Sequence, residues 1–579
     1  MAHPSTSTPA SRYHRFRIPE HQRYAELGPE DYVIQEATIL DHDGSALYDD
    51  GWSSLRTEII KNNDVALLRK YIDKFPGACG PGCLTSDDPF NVAASCGSTD
   101  ALRMMLEHWV VDPSQTIPAP DEREFHLLNA ACLCGQVDTV RFLVDQSQPW
   151  AARFGKINEN AKTEDSLYDD SSLIAAARSY GTRPRRGQAW RNSEEMMCLL
   201  LSMGTSALDT VSWPDEEDTP PAVPQLTETV LSLAITGASA DMVRRLIDGG
   251  ADIHVKVHPP TCHGLFGGTV YEVRDVTVLH IGSFHFNADG IQALFTHRGS
   301  EVSVADMVSC RDDHGRIPLH WAAGSDYPEK FDLEACKGDD DNSESITSQA
   351  ISTIKLLLAG NTDTINARDA SGNTPLHYAP LDAALITLLV GCGINVEDVD
   401  VRGMTAVHLA ANGLLDVEAV RILLKQAGLR ANEVLQATDA QGNTPLHIAA
   451  ATGHVYDAVT TDDRIRAQEE IMRALLPRGR AGEGIGEGDT AGLSLMDQPN
   501  AVGKTPRKLY QGLPLTWASC LKISVLPVAN RKLSLSASSI RCDHEVLTSA
   551  FSQESGHEMF DVASFTVKGR NNGMLGAMI

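Results

Sequence analysis

The eight residues GNTPLHYA at Gly372–Ala379 return as GNTPLHIA at Gly442–Ala449, seven of eight identical. Recurrence of this kind constrains the fold more than any other feature of the chain. It marks an architecture in which each unit buries its apolar face only against its neighbours. The frame extends outward. RIPLHWAA begins at Arg316 and MTAVHLAA at Met404, which places His320, His377, His408 and His447 at spacings of 57, 31 and 39 residues. These fit a period of about 33 residues carrying insertions. Five residues before each His stands a Gly (Gly315, Gly372, Gly403, Gly442), and three before each Gly an Asp (Asp312, Asp369, Asp400, Asp439). A further copy, from Asn500 to Leu509, has Asn in place of Asp. Degenerate copies begin at Phe90, Leu128, Leu173, Leu231 and Val278, and a helical pair from Leu55 lacks the Thr-Pro step and reads as a cap.

Each motif residue has a physical reason to stand where it does. Thr374 and Thr444 are predicted helix N-caps, their hydroxyls facing orphan backbone N–H groups. Pro375 and Pro445 suit the first helical position, where a missing N–H costs nothing. Leu376 and Leu446 point inward. Ala322, Ala323, Ala410, Ala411, Ala449 and Ala450 let helices approach closely. Asp369 and Asp439 suit Asx turns, and Gly372 and Gly442 suit positive φ.

The pattern Asp-x-x-Gly-x-Thr-Pro-Leu-His-x-Ala-Ala resembles the ankyrin repeat, as do the second-helix endings DMVRRLIDGGADIH (Asp241–His254) and VRILLKQAG (from Val420). The resemblance implies an all-α repeat solenoid of helix-turn-helix units with β-hairpin fingers. It places about ten or eleven units in residues 52–512, between an N-terminal extension (1–51, partly disordered) and an unassigned tail (513–579). It makes His320, His377, His408 and His447 buried bridges, each joining the Thr of its own unit to the backbone of a neighbour. It also implies a non-catalytic scaffold, monomeric and without cofactor, that binds another protein. Its contact positions would be Asp313, His314 and Arg316; Ala370, Ser371 and Asn373; Val401, Arg402 and Met404; Ala440, Gln441 and Asn443; and Ala451 and Thr452. The insertion-rich style resembles the large ankyrin arrays of filamentous fungi. Two other functions stay open: a regulator of gene expression acting through a bound protein, and an enzyme or accessory protein of a biosynthetic pathway.

Composition narrows the partners. A formal charge of −28 disfavours direct contact with nucleic acid. The densest basic spot, Arg183–Arg186, reads as a solvated loop or a nuclear-localisation signal. Twelve scattered cysteines read as reduced thiols in cytoplasm or nucleus. No apolar run approaches the roughly 20 residues of a membrane helix, and no signal peptide is visible. Lys337–Ser345, Asp215–Pro224 and Arg478–Gly492 are predicted surface insertions.

Other motifs dissolve on inspection. Gly503-Lys504-Thr505 lacks the earlier glycine of a phosphate loop, since position 498 is Gln. The glycine-rich stretch around Gly484 lacks a strand–turn–helix context and carries carboxylates that repel phosphate. Cys79 and Cys83, and Cys132 and Cys134, have no partner pair at zinc-site spacing. His544, Glu545, His557 and Glu558 in the tail repeat without metal spacing. No metal or cofactor is expected.

Overall fold

A computed structural model describes residues 12–18, 37–49, 54–76, 88–110, 124–148, 150–151, 155, 171–181, 187–212, 226–258, 273–325, 346–379, 383–413, 417–451, 461–476 and 495–510. The chain divides into two units, Met1–Gly512 and Leu513–Ile579, and every described residue belongs to the first.

Two rows of helices run through that unit. In one row, eleven first helices stack in chain order: Ser54–Lys61, Pro89–Cys96, Glu124–Leu133, Ser172–Arg178, Val230–Ala234, Val278–Phe284, Pro318–Ala323, Pro375–Tyr378, Ala406–Gly413, Pro445–Ala451 and Pro506–Leu509. In the other row, ten second helices do the same: Val65–Lys74, Thr99–Val110, Val137–Val144, Gly187–Ser202, Ala240–Asp248, Ala288–Thr296, Ile346–Gly360, Ala383–Gly391, Val417–Ala427 and Thr461–Leu475. This is the helical repeat solenoid that the resemblance implies.

The sequence explains both rows. First helices are short and several are rich in alanine; Ala93, Ala94, Ala131, Ala176, Ala322, Ala411 and Ala449 are buried where neighbouring first helices pack. Several second helices are amphipathic. In Ala240–Asp248, Met242, Val243 and Leu246 are buried while Asp241, Arg244, Arg245 and Asp248 face solvent. Caps fix where helices begin. Asp88 accepts from the N–H groups of Phe90 and Asn91. Thr229 and Ser232 form a reciprocal pair at 3.0 and 2.8 Å. The helix Pro375–Tyr378 has a single turn and stops two residues before Pro380, which lies outside the described residues.

Strands are few. Three antiparallel two-stranded ladders pair Ile39–Leu40 with Ala46–Leu47, Thr210–Ser212 with Leu226–Thr229, and Lys256–Val257 with Val276–Thr277. The predicted insertion at Asp215–Pro224 falls between the strands of the second ladder. Lys337–Ser345 falls between a first and a second helix, and Arg478–Gly492 between a second helix and the next finger. All three lie outside the described residues. The helical pair from Leu55 is not where the order begins. The hairpin of residues 39–47 and a short turn at His14–Arg17 cover it, burying Tyr13, Phe16 and Leu47. Tyr71 donates to Asp49 at 2.9 Å, and the Lys74 ammonium to the Ala37 carbonyl at 2.8 Å.

Candidate interaction surface

The Asp-x-x-Gly stretches fold into five equivalent tight turns, or fingers. In each, one side-chain oxygen of the first residue accepts two backbone N–H groups. Asp312 accepts from His314 and Arg316 at 3.0 and 2.8 Å, and Asp369 from Ser371 and Asn373 at 2.8 Å each. Asp400 accepts from Arg402 and Met404, Asp439 from Gln441 and Asn443, and Asn500 from Val502 and Lys504. The turn closes only if the fourth residue takes positive φ. Gly315, Gly372, Gly403, Gly442 and Gly503 do so, at 73–76°.

Main-chain bonds link finger to finger. Ala370 N donates to His314 O at 2.9 Å, Val401 N to Ser371 O at 2.9 Å, Ala440 N to Arg402 O at 2.7 Å, and Ala501 N to Gln441 O at 3.0 Å. The row continues upstream, with Asp313 N donating to Arg274 O at 3.0 Å. Two arginines add clips. Arg311 donates to the Arg368 carbonyl, and Arg368 to the Val399 carbonyl, at 2.7 and 2.6 Å.

The histidines lie behind the fingers, one per unit. The N–H groups of Ile317, Thr374, Thr405 and Thr444 donate at 3.1 Å to Nδ1 of His320, His377, His408 and His447. An imidazole that accepts at Nδ1 carries its proton on Nε2. Nε2 then donates to the next finger: His320 to Asn373 O, His377 to Met404 O and His408 to Asn443 O, at 3.1, 3.1 and 3.2 Å. His447 Nε2 is equally buried and faces the backbone of Gln498 and Lys504 without reaching hydrogen-bond geometry. Burial makes the charged form costly, so every ring sits below the ordinary histidine range, His320 at about 4. The rings never converge on one site.

Two expectations change here. The Thr374 hydroxyl does not cap an orphan N–H. It lies 2.9 Å from His377 Nδ1, because the imidazole three residues on already takes the Thr N–H and the hydroxyl joins the same acceptor. Sequence reading also missed a bridge. His280 pairs with Thr277 at 2.8 Å and reaches Arg316 O at 3.1 Å, and burial lowers it to about 4. The signal was the Thr-x-x-His spacing itself, kept without the Pro.

The expected contact residues separate into two sets. Asp313, His314, Ala370, Ser371, Val401, Arg402, Ala440 and Gln441 stand exposed at the fingertips. Arg316 and Asn443 are buried, which removes them from the contact set. Each folds back onto its own finger carboxylate: Arg316 Nε meets Asp312 at 2.7 Å, and Asn443 Nδ2 meets Asp439 at 3.0 Å. Asn373 and Met404, half-buried, occupy the same position. All four offer their carbonyls to the preceding unit's histidine. Their carbonyls belong to the joints between units.

Trp321 and Tyr378 brace the fingers from behind, donating to Asp312 and Asp369 at 3.0 and 2.6 Å. Burial acts to raise the Asp369 carboxyl, but hydrogen bonds from Tyr378 and Asn373 outweigh it and hold the group below its usual range. Among the described residues, Asp312, Asp313 and His314 are the one cluster with metal-ligand proximity. Both Asp312 oxygens are already engaged within the turn. Cys132 is buried, and burial pushes its thiol up. Thr452, Cys79, Cys83, Arg183–Arg186, His544, Glu545, His557 and Glu558 lie outside the described residues.

Residues 380–461 match the family described as "Ankyrin repeats (3 copies)". The chain carries ankyrin repeats. Human inversin is 29% identical over 298 residues, which cover 51% of this chain and 22% of inversin. The Drosophila melanogaster transient receptor potential cation channel subfamily A member 1 is 28% identical over 165 residues, 24% of this chain and 14% of that channel. The ankyrin array thus spans a minor share of these curated relatives. Among solved structures, the ankyrin repeat domain of Bcl-3 covers 52% of this chain and 96% of its own, at 18% identity and a TM-score of 0.29. Among the described residues, no helix is long and apolar enough to cross a membrane.

Proposed function

We propose that this ankyrin array is a non-catalytic scaffold that holds another protein across its fingertips. One arrangement carries the reading. The fingers are locked in register through main-chain atoms, while the side chains of Asp313, His314, Ser371, Arg402 and Gln441 stay exposed at the tips. Arg402 also meets its own finger carboxylate, Asp400, at 2.8 Å, and a rigid row spares a partner much of the ordering cost of binding. The Thr/His pairs offer no competing chemistry, since the rings of His280, His320, His377 and His408 are committed to joints between units and that of His447 is buried.

The test is crosslinking in native extract, followed by His314→Ala, Ser371→Ala, Arg402→Ala and Gln441→Ala combined in one variant. The expected result is an unchanged far-UV spectrum, a melting curve lowered by no more than loss of the Arg402–Asp400 pair accounts for, and loss of partner crosslinks. Crosslinks that survive the four substitutions and cluster beyond residue 513 or in the acidic insertions would overturn the fingertip assignment.

A further inference from the structure

The finger row ends differently from how it runs. A Cβ built on Gly315, Gly372, Gly403 or Gly442 would lie 2.9, 3.2, 3.2 or 2.8 Å from the backbone of the following finger. Those four turns are therefore covered, and the carbonyls of His314, Ser371, Arg402 and Gln441 each accept an N–H from the covering turn. A Cβ built on Gly503, in the fifth turn, meets no described atom within 4 Å. No described N–H reaches the Val502 carbonyl, and the Val502 side chain is 75% exposed.

The chemistry of this last unit changes too. Lys508 stands where other units hold the bridging histidine, and Lys504 where they hold Arg316, Asn373, Met404 or Asn443. Both lysines are exposed. Arg507, the third cation, already pairs with Asp497 at 2.8 Å. Residues 495–510 are thus locally cationic in a chain of net charge −28.

We propose that this end of the ankyrin array is a second docking surface. It takes from a partner protein an acidic turn that presents a small residue with a free main-chain N–H. The four internal junctions say what fits. At each, a small apolar residue (Ala370, Val401, Ala440 or Ala501) lays its N–H on the preceding carbonyl while its turn rests on the preceding glycine. The exposed Lys504 and Lys508 ask for carboxylates beside that turn. A second copy of this chain does not supply it. The matching N–H groups of Asp313, Ala370, Val401, Ala440 and Ala501 are already bonded internally, and two chains of this net charge repel. The surface is separate from the fingertip side chains, so substitutions at those tips leave it intact.

The test uses the full-length chain and a defined probe: a consensus ankyrin array built without its N-terminal capping unit, so that its first finger is open, with glutamates set to face Lys504 and Lys508. A photocrosslinker at position 502 should capture the probe's first finger. Binding should weaken by at least about tenfold in Val502→Glu and in the Lys504→Glu, Lys508→Glu double variant. It should weaken with added salt. Both variants change exposed side chains, so their melting curves should match the parent. Absence of probe binding, equal affinity for the charge-reversed chains, or crosslinks from position 502 that land on the chain's own residues would overturn the proposal.

Discussion

The downstream fingers (residues 312–504) and the upstream units (residues 54–296) stack the same two rows of helices but join them by different means. Downstream, a junction is a repeated device: an imidazole donates to a carbonyl, and a turn donates to a turn. Upstream, junctions up to residue 238 rest on individual side chains. Ala101 N donates to Asn63 Oδ1, Gln136 Nε2 to Ser95 O, and Ser172 to Asn129, each at 2.9 Å. Asn287 spans two carbonyls, those of Ile235 and Ala238. Helix packing with scattered side-chain bonds sustains the solenoid, then. The device adds register, and with register comes a surface whose tips keep fixed spacing.

Acid should separate the two regions most. His280 and His320 sit near 4 against an ordinary value of 6.5, so the unfolded chain takes up protons first as pH falls. Stability is whole above about pH 6.5 and is lost on the way down towards 4. At pH 5 the loss is on the order of 2 kcal/mol for each of these two rings. Hydrogen exchange read by segment at pH 7.5 and 5 should therefore show residues 278–451 losing protection while 54–144 keep theirs. Equal loss in both would break the contrast.

A single joint tests it next. His377→Ala leaves the Thr374 N–H and the Met404 carbonyl without partners, which should cost roughly 3 kcal/mol by denaturant titration. Gln136→Ala upstream removes one bond to a carbonyl and should cost nearer 1 kcal/mol. Comparable losses would mean that both kinds of joint carry similar weight.

The smallest effects sharpen the role of the turn. Asp439→Asn keeps the oxygen that anchors two N–H groups, as Asn500 does naturally, but sets an amide against the Asn443 amide. About 1 kcal/mol is expected in the same titration. Gly442→Ala strains a φ of 74° and presses on Ala501 N, whereas Gly503→Ala meets only the strain. The first should lower the melting temperature more than the second.

Much of this was legible in the sequence because the finger and its bridge demand particular atoms. Only Asp or Asn anchors the turn, only Gly tolerates its fourth position, and His both accepts and donates across the joint. What escaped has physical reasons. Whether a polar residue beside the motif turns outward or inward is set by the carboxylate under it, so Ser371 and Arg316 look alike on paper but lie exposed and buried. His280 hid because the Thr/His pair forms without Pro. The hairpin of residues 39–47 hid because its partners, Phe16 and Tyr71, are remote in sequence. The fingertip side chains name no partner, since little in the fold depends on them beyond the Arg402–Asp400 pair.

The finger row is also a mechanical element. Its links are single N–H···O contacts placed one after another, so a pull along the row loads all of them equally and the poorest yields first. That link lies at the joint where His447 fails to reach the next unit. The array should therefore behave as a spring that gives way from its C-terminal end, shedding the last finger before any junction that carries a complete histidine bridge.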